Sequence, residues 1–130
     1  MKPKTKDPVN QPLIDFEEKI GLQRLGLMNS AVWHEDPKRL VFTLSRYKFV
    51  AKMLSGLQQV VEIGCGDGSG SRIVKQEVEN LTITDYDPYF IKRYHEISDP
   101  DWPVQAKVHD ILSGPLPEKY NAVYSLDVME

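Results

Sequence analysis

The sequence has 130 residues, a net charge of −3, 41% hydrophobic and 27% charged residues and a mean hydropathy of −0.40, the profile of one ordinary globular domain or part of one. No apolar run approaches the roughly 18 residues of a membrane span, and the polar, proline-rich start MKPKTKDPVNQP lacks the apolar segment of a secretory signal. Charge is divided unevenly: residues 1–58 carry ten Lys/Arg and six Asp/Glu, whereas residues 59–130 carry six and thirteen, so the second half is a poor surface for a nucleic-acid backbone.

In chain order, residues 1–12 are expected to form a disordered lead-in and residues 13–58 a helical segment. Leu13, Phe16, Ile20, Leu25 and Met28 recur at helical spacing, which predicts helix over 13–29, interrupted by Gly21 and Gly26. A stronger helix follows. Asp36 can cap it, Pro37 suits its first position, Leu40, Leu44, Tyr47, Ala51 and Leu54 form one stripe, and Gly56 stops it. Its other faces hold Lys38, Arg39, Arg46, Lys48 and Lys52 with no acid from 37 to 55, a solvated face or an anion contact through Arg46 and Lys48.

From residue 59 the pattern changes. QVVEIG reads as a strand, SRIVKQEV as a helix, NLTITDYD as a strand, PYFIKRYHEI as a helix entered at Pro88, VQAKVHD as a strand and YNAVYSL as a fourth. These strands lack a polar face, which predicts an α/β fold with a mostly parallel sheet covered by helices on both faces.

The stretch VVEIGCGDGSGSR, Val60 to Arg72, places four glycines in seven positions directly after the first strand. In an open parallel sheet that turn is where backbone comes closest to a ligand. A dinucleotide fingerprint fails here, because Ser69 or Ser71 stands where its third glycine belongs. Glu62, at the strand end, would repel a pyrophosphate and suits a ligand with an amino or other cationic centre. Asp85 lies 21 residues after Gly64, at the end of the second strand, where a carboxylate can take both ribose hydroxyls; Asp87 is its competitor. Asp110 ends the third strand, placed for an exocyclic amino group such as that of adenine, with the Ile111 amide as a donor to the ring. A ribose without a pyrophosphate points to a mononucleoside.

The stretches VVEIGCGDGSG, TITDYDP, VHDIL and YNAVYSLDVME, in this order and spacing, resemble the first four motifs of the class I S-adenosylmethionine-dependent methyltransferases. The resemblance covers about 60–130. It implies a Rossmann-like sheet of strand order 3-2-1-4, the C-terminal strands of the usual seven being absent, and a truncated S-adenosylmethionine-binding half-domain over 59–130. It also implies a cofactor set of Glu62, Gly64, Cys65, Gly66, Asp85, Tyr86, Asp110, Ile111, Ser125 and Leu126, with Glu62 and the backbone at Ser125 or Leu126 at the methionine end. Asn121 departs from the family's frequent aspartate at a position that is mainly structural.

The activity expected is methyl transfer to a small or medium-sized acceptor, an anionic one such as a phosphorylated sugar or nucleotide on the Arg46 and Lys48 side; no catalytic residue is assigned. The alternatives are an NAD-dependent oxidoreductase and a non-catalytic nucleoside-binding module. His34, His95 and His109 have no ligand spacing, so no metal is expected, and no nucleic-acid or membrane partner is either. The single cysteine, Cys65, suits a reducing, cytoplasmic setting and is read as a small loop residue. With strand 4 at a sheet edge, the chain is expected to be part of a longer protein or to associate through that edge, and in neither case to turn over substrate alone.

Overall fold

The computed structural model describes residues 1–126. The elements are α1 (Gln11–Ile20), α2 (Leu27–Glu35), α3 (Pro37–Met53), β1 (Gln59–Ile63), α4 (Ser71–Lys75), β2 (Asn80–Asp85), α5 (Pro88–Ile97), β3 (Gln105–Val108) and β4 (Ala122–Tyr124). The sheet is parallel throughout and ordered β3-β2-β1-β4, as the motif order predicts.

The lead-in carries a 3-10 turn at Pro8–Asn10, capped by the Asp7 carboxylate on the Val9 amide at 3.0 Å, and runs directly into α1. The helix predicted over 13–29 is two helices. Gly21, at φ 84°, ends α1, and the chain from 21 to 26 is not helical, so the two glycines bound a linker where an interruption was expected. α3 starts as its caps dictate, with Asp36 accepting from the Lys38 amide at 3.2 Å and Pro37 in the first turn.

α4 is shorter than its sequence pattern. Two backbone bonds, Gly56 N to Glu77 O at 2.8 Å and Glu79 N to Leu57 O at 3.0 Å, tie the chain after Val74 to the end of the α3–β1 loop and turn it into β2. α5 is capped by Asp87 on the Tyr89 amide at 2.9 Å.

Burial follows the parallel arrangement. In β1, Val60 and Val61 are sealed from solvent and Ile63 nearly so, because both faces of a central parallel strand are covered. One core cluster joins Tyr47, Val50 and Ala51 of α3, Val74 of α4, Ile91 and Tyr94 of α5 and the strand residues Val60, Leu81, Ile83 and Tyr124. At the start of the β1–β4 pair, Asn121 accepts from the Gln59 amide through its side chain at 2.8 Å and donates its own amide to Gln59 O at 2.7 Å. Among the described residues β4 is an edge strand, paired with β1 alone, and its Val123 is exposed.

Candidate functional site

Between β1 and α4 the chain makes the glycine turn at the carboxyl ends of the strands. Five of its amides are bonded within the protein. Gly64 N and Cys65 N both donate to Thr84 O, at 2.9 and 2.8 Å, and Gly68 N donates to Cys65 O at 3.1 Å. Gly66 N donates to Asp85 Oδ2 and Ser69 N to Asp67 Oδ1, both at 2.9 Å. A phosphate cradle needs such amides turned outward to an anion. Here five of them are already spent, so the turn shapes a wall and offers little to a pyrophosphate. Gly66 adopts φ 57°, and a Cβ there would stand 2.8 Å from the Met28 sulfur.

Asp85 sits beside this turn at the end of β2, nearly buried. Its two oxygens each accept one amide, Oδ2 from Gly66 and Oδ1 from Asp87 at 2.9 Å. A carboxylate has about four lone-pair sites, so each oxygen keeps capacity for a ligand hydroxyl.

Glu62 is placed differently. It is wholly buried and accepts three hydroxyls: Tyr47 at 2.6 Å, Tyr124 at 2.9 Å and Ser71 through a short bond. Desolvation holds its carboxyl above the ordinary glutamate value despite these donors. The Tyr47 and Tyr124 hydroxyls are pushed up, first by burial and then by the adjacent Glu62. The network ties α3, α4 and β4 to β1 behind the glycine turn. The sequence pattern marked Tyr47 only as a core residue; a tyrosine in a buried helical stripe was itself a signal, since its hydroxyl must find a partner.

A second link was also missed. Asp67 accepts from the Asn29 amide at 2.8 Å, and the Ser69 hydroxyl accepts from the Gly26 amide at 2.5 Å, so the start of α2 is pinned to the glycine turn. Nothing in hydrophobic periodicity announces such a contact.

The result is a cleft of about 390 Å³, within the roughly 300–1,000 Å³ usual for small-molecule sites. Gly64, Cys65, Gly66, Asp85, Tyr86 and Leu126 line it, together with Met28 and Val32 of α2, Thr43, Arg46 and Tyr47 of α3, and Phe90 of α5. Glu62, Asp110, Ile111 and Ser125 do not. Asp110 is exposed and caps its own turn, accepting from the Leu112 amide at 2.9 Å and the Ser113 hydroxyl at 3.0 Å. The Ser125 hydroxyl, next to Leu126, is buried without a hydrogen-bond partner among the described residues.

A separate cavity of about 470 Å³ flanks the other side of the turn at Gly68 and Ser69, between Phe16 and Ile20 of α1 and Trp102. The Arg72 guanidinium stacks 3.5 Å from the Trp102 ring centre there. None of the predicted site residues lines it.

Burial pushes the Cys65 thiol up, with Glu62 adding to the effect, so it is neutral and a poor nucleophile. His109 is engaged with Gly114 O at 3.0 Å. Among the described residues no group of His, Cys, Asp and Glu could hold a metal, and no helix is long and apolar enough to cross a membrane.

A family model described as a methyltransferase domain matches residues 61–130, more than half of the chain. No curated protein matches it. Among solved structures, magnesium protoporphyrin IX methyltransferase from Synechocystis PCC 6803 aligns at TM-score 0.58 and 21% identity over 92% of this chain and 55% of its own. The N-methyltransferase NodS from Bradyrhizobium japonicum WM9 aligns at TM-score 0.55 and 19% identity over 65% and 43%. Coclaurine N-methyltransferase aligns at TM-score 0.56 and 22% identity over 69% and 27%. At these identities the likeness is one of fold, and the chain spans between about a quarter and just over half of each structure. With the family match, the sheet order and the glycine turn in agreement, the chain belongs to the class I S-adenosylmethionine-dependent methyltransferases.

Proposed function

We propose that the cleft binds S-adenosylmethionine and that the chain supplies the cofactor-binding half of an enzyme methylating a small or medium-sized acceptor. The observation that carries this reading is the pairing of a glycine turn whose amides are spent inward with an Asp85 carboxylate that retains lone pairs. Such a site favours a ribose and has little to offer a pyrophosphate. Bound there, the cofactor supplies a methyl group activated by its sulfonium.

The residues of this chain then bind and orient. Asp85 accepts the ribose hydroxyls, and Gly64, Cys65 and Gly66 present a wall without side-chain bulk beneath the ribose and methionine portions. Val108 pairs with Asp85 across β2 and β3, so Asp110 and Ile111 lie two and three residues beyond that level; we assign them, with Tyr86, to the adenine end. The unpartnered Ser125 hydroxyl suits the methionine amino group, beside Leu126. Glu62 acts through Tyr47, holding that wall of the cleft in place. The neutral Cys65 thiol does not compete for the methyl group. Alignment of acceptor and methyl can itself supply effective molarities on the order of 10⁵–10⁸ M.

Calorimetric titration of the chain with S-adenosylhomocysteine and, separately, with NAD tests the reading. Saturable binding of the first and none of the second is the expected result. Equal affinity for NAD, or no binding of S-adenosylhomocysteine, overturns it.

A further inference from the structure

We infer that the outer face of α3 docks the protein on an anionic lipid surface. The inference is independent of the cofactor reading, because it concerns the side of the helix turned away from the core. Phe42, Phe49 and Met53 stand open to solvent there. At 100° per residue they fall within about 40° of one another and run about 16 Å along the helix, on the side opposite the buried Tyr47 and Ala51. Lys38, Lys52 and Lys48, all exposed, border this stripe at about 40°, 80° and 120° from Phe42. α3 holds no acid, and none of these three lysines has a carboxylate partner among the described residues. Arg39, which pairs with Glu35 at 2.9 Å, lies on the other border.

One helix thus carries two apolar stripes on opposite sides, one spent on the core and one open. Aromatic and thioether side chains beside lysines form the pattern of a helix lying in a bilayer interface. The apolar tips enter the boundary between headgroups and acyl chains, while each lysine stem lies along it and its ammonium reaches the lipid phosphates.

The rival occupant is an acidic helix of a partner protein, and the lysines decide against it. Protein interfaces are depleted in lysine, whose ordering costs rotamer entropy, whereas a fluid anionic surface takes the charge without fixing the side chain. The helical half also holds the positive excess and residues 59–130 the negative one, a division that turns α3 toward an anionic surface. No membrane partner was expected from the sequence, since no apolar run can span a bilayer; lying on one needs only an exposed face.

The test is cosedimentation of the full chain with vesicles of phosphatidylcholine alone and of phosphatidylcholine with about one-third phosphatidylserine. Wild type is compared with Phe42→Ser, Phe49→Ser, Lys48→Ala and, as a charge control on the exposed side of α5, Lys92→Ala, with circular dichroism as the check on folding. Wild type should bind the phosphatidylserine vesicles about tenfold or more tightly than phosphatidylcholine alone, and raising salt from about 0.1 to 0.5 M should remove most of that difference. Each phenylalanine change should weaken binding about tenfold and Lys48→Ala about fivefold, while Lys92→Ala stays within about twofold of wild type. Absence of binding to the phosphatidylserine vesicles, binding indifferent to Phe42 and Phe49, or an equal loss in Lys92→Ala overturns the proposal. No vesicle binding, together with saturable and Phe42-dependent binding of a helical peptide whose leucine stripe is flanked by glutamates, would give the face to an acidic protein partner instead.

Discussion

In the sheet half of the molecule Val60, Val61, Val74 and Ile83 have no solvent exposure, and the buried Glu62, Thr84 and Ser71 are hydrogen-bonded. In the N-terminal half α1 buries no residue, α2 buries only Asn29, and Leu13, Phe16, Leu27, Met28 and Trp33 stand open to solvent. The helices meet the sheet at two kinds of contact: the stripe of α3 through Tyr47, Val50 and Ala51, and two polar pins from Gly26 and Asn29 to the glycine turn. Stability and ligand geometry therefore reside in the sheet half. The N-terminal half contributes one helix to the core and a wall to the cleft.

The largest expected effect comes where the halves join. Glu62→Ala leaves the Tyr47, Ser71 and Tyr124 hydroxyls buried without their acceptor, at about 1–3 kcal/mol each and less than additively. A total loss of about 3–5 kcal/mol is expected in urea unfolding, a large share of the roughly 5–15 kcal/mol of a domain. Glu62→Gln serves as the pH control. Because burial raises the native carboxyl value above the ordinary 4.5, its stabilising contribution is complete below that pH and is lost as pH rises through the native value. The stability advantage of wild type over Glu62→Gln should therefore shrink as pH rises from about 4.5; an advantage that is flat or growing would mean the carboxylate is held ionised.

This junction is also where the sequence was least readable. The parallel sheet followed from apolar runs alternating with helical ones and its order β3-β2-β1-β4 from the family resemblance, while Pro88 and Pro37 marked helix starts as local signals of backbone geometry. The placement of Gly64, Gly66 and Asp85 at the carboxyl ends of the strands was legible from the strand-and-turn pattern. The inward turn of the Glu62 carboxylate was not. Its position at a strand end says nothing of which way the carboxylate turns, and the answer lies with hydroxyls 15, nine and 62 residues away. Periodicity names the buried face of α3, but the reach of Tyr47 to Glu62, and of Arg46 rather than Lys48 into the cleft, depends on how α3 lies on the sheet.

A second prediction confines itself to the cleft. Asp85→Ala should weaken S-adenosylhomocysteine binding by about 1.5–3 kcal/mol for each ribose hydrogen bond lost, and it also strips Gly66 N of its acceptor. Unchanged affinity by calorimetry would remove Asp85 from the site.

Gly68→Ala probes the packing behind the turn. The residue has φ 76°, and a Cβ would stand 2.5 Å from the Tyr94 ring, which is itself in the core. Strain and overpacking of about 1–3 kcal/mol are expected from urea midpoints. A neutral result would show that α5 can shift away from the turn at no cost.

The smallest effect should come from the outer face of α3, where the contrast between the halves is sharpest on a single element. Phe42, Phe49 and Met53 are 69%, 65% and 67% exposed, while Tyr47, Val50 and Ala51 on the same helix are buried. Phe42 and Phe49 are seven residues apart and share a face pointing away from the core. Phe49→Ser removes little area that folding had buried and exchanges two residues of similar helix propensity, so its cost should be about 0.5 kcal/mol or less. Ile83→Ala, in a strand sealed on both sides, should cost about 2–5 kcal/mol through lost transfer energy and a residual cavity. Paired urea titrations at equal protein concentration make the comparison. If Phe49→Ser approached Ile83→Ala, the outer face of α3 would be covered in solution, and the division between a sealed sheet and an open helical half would fail at this helix.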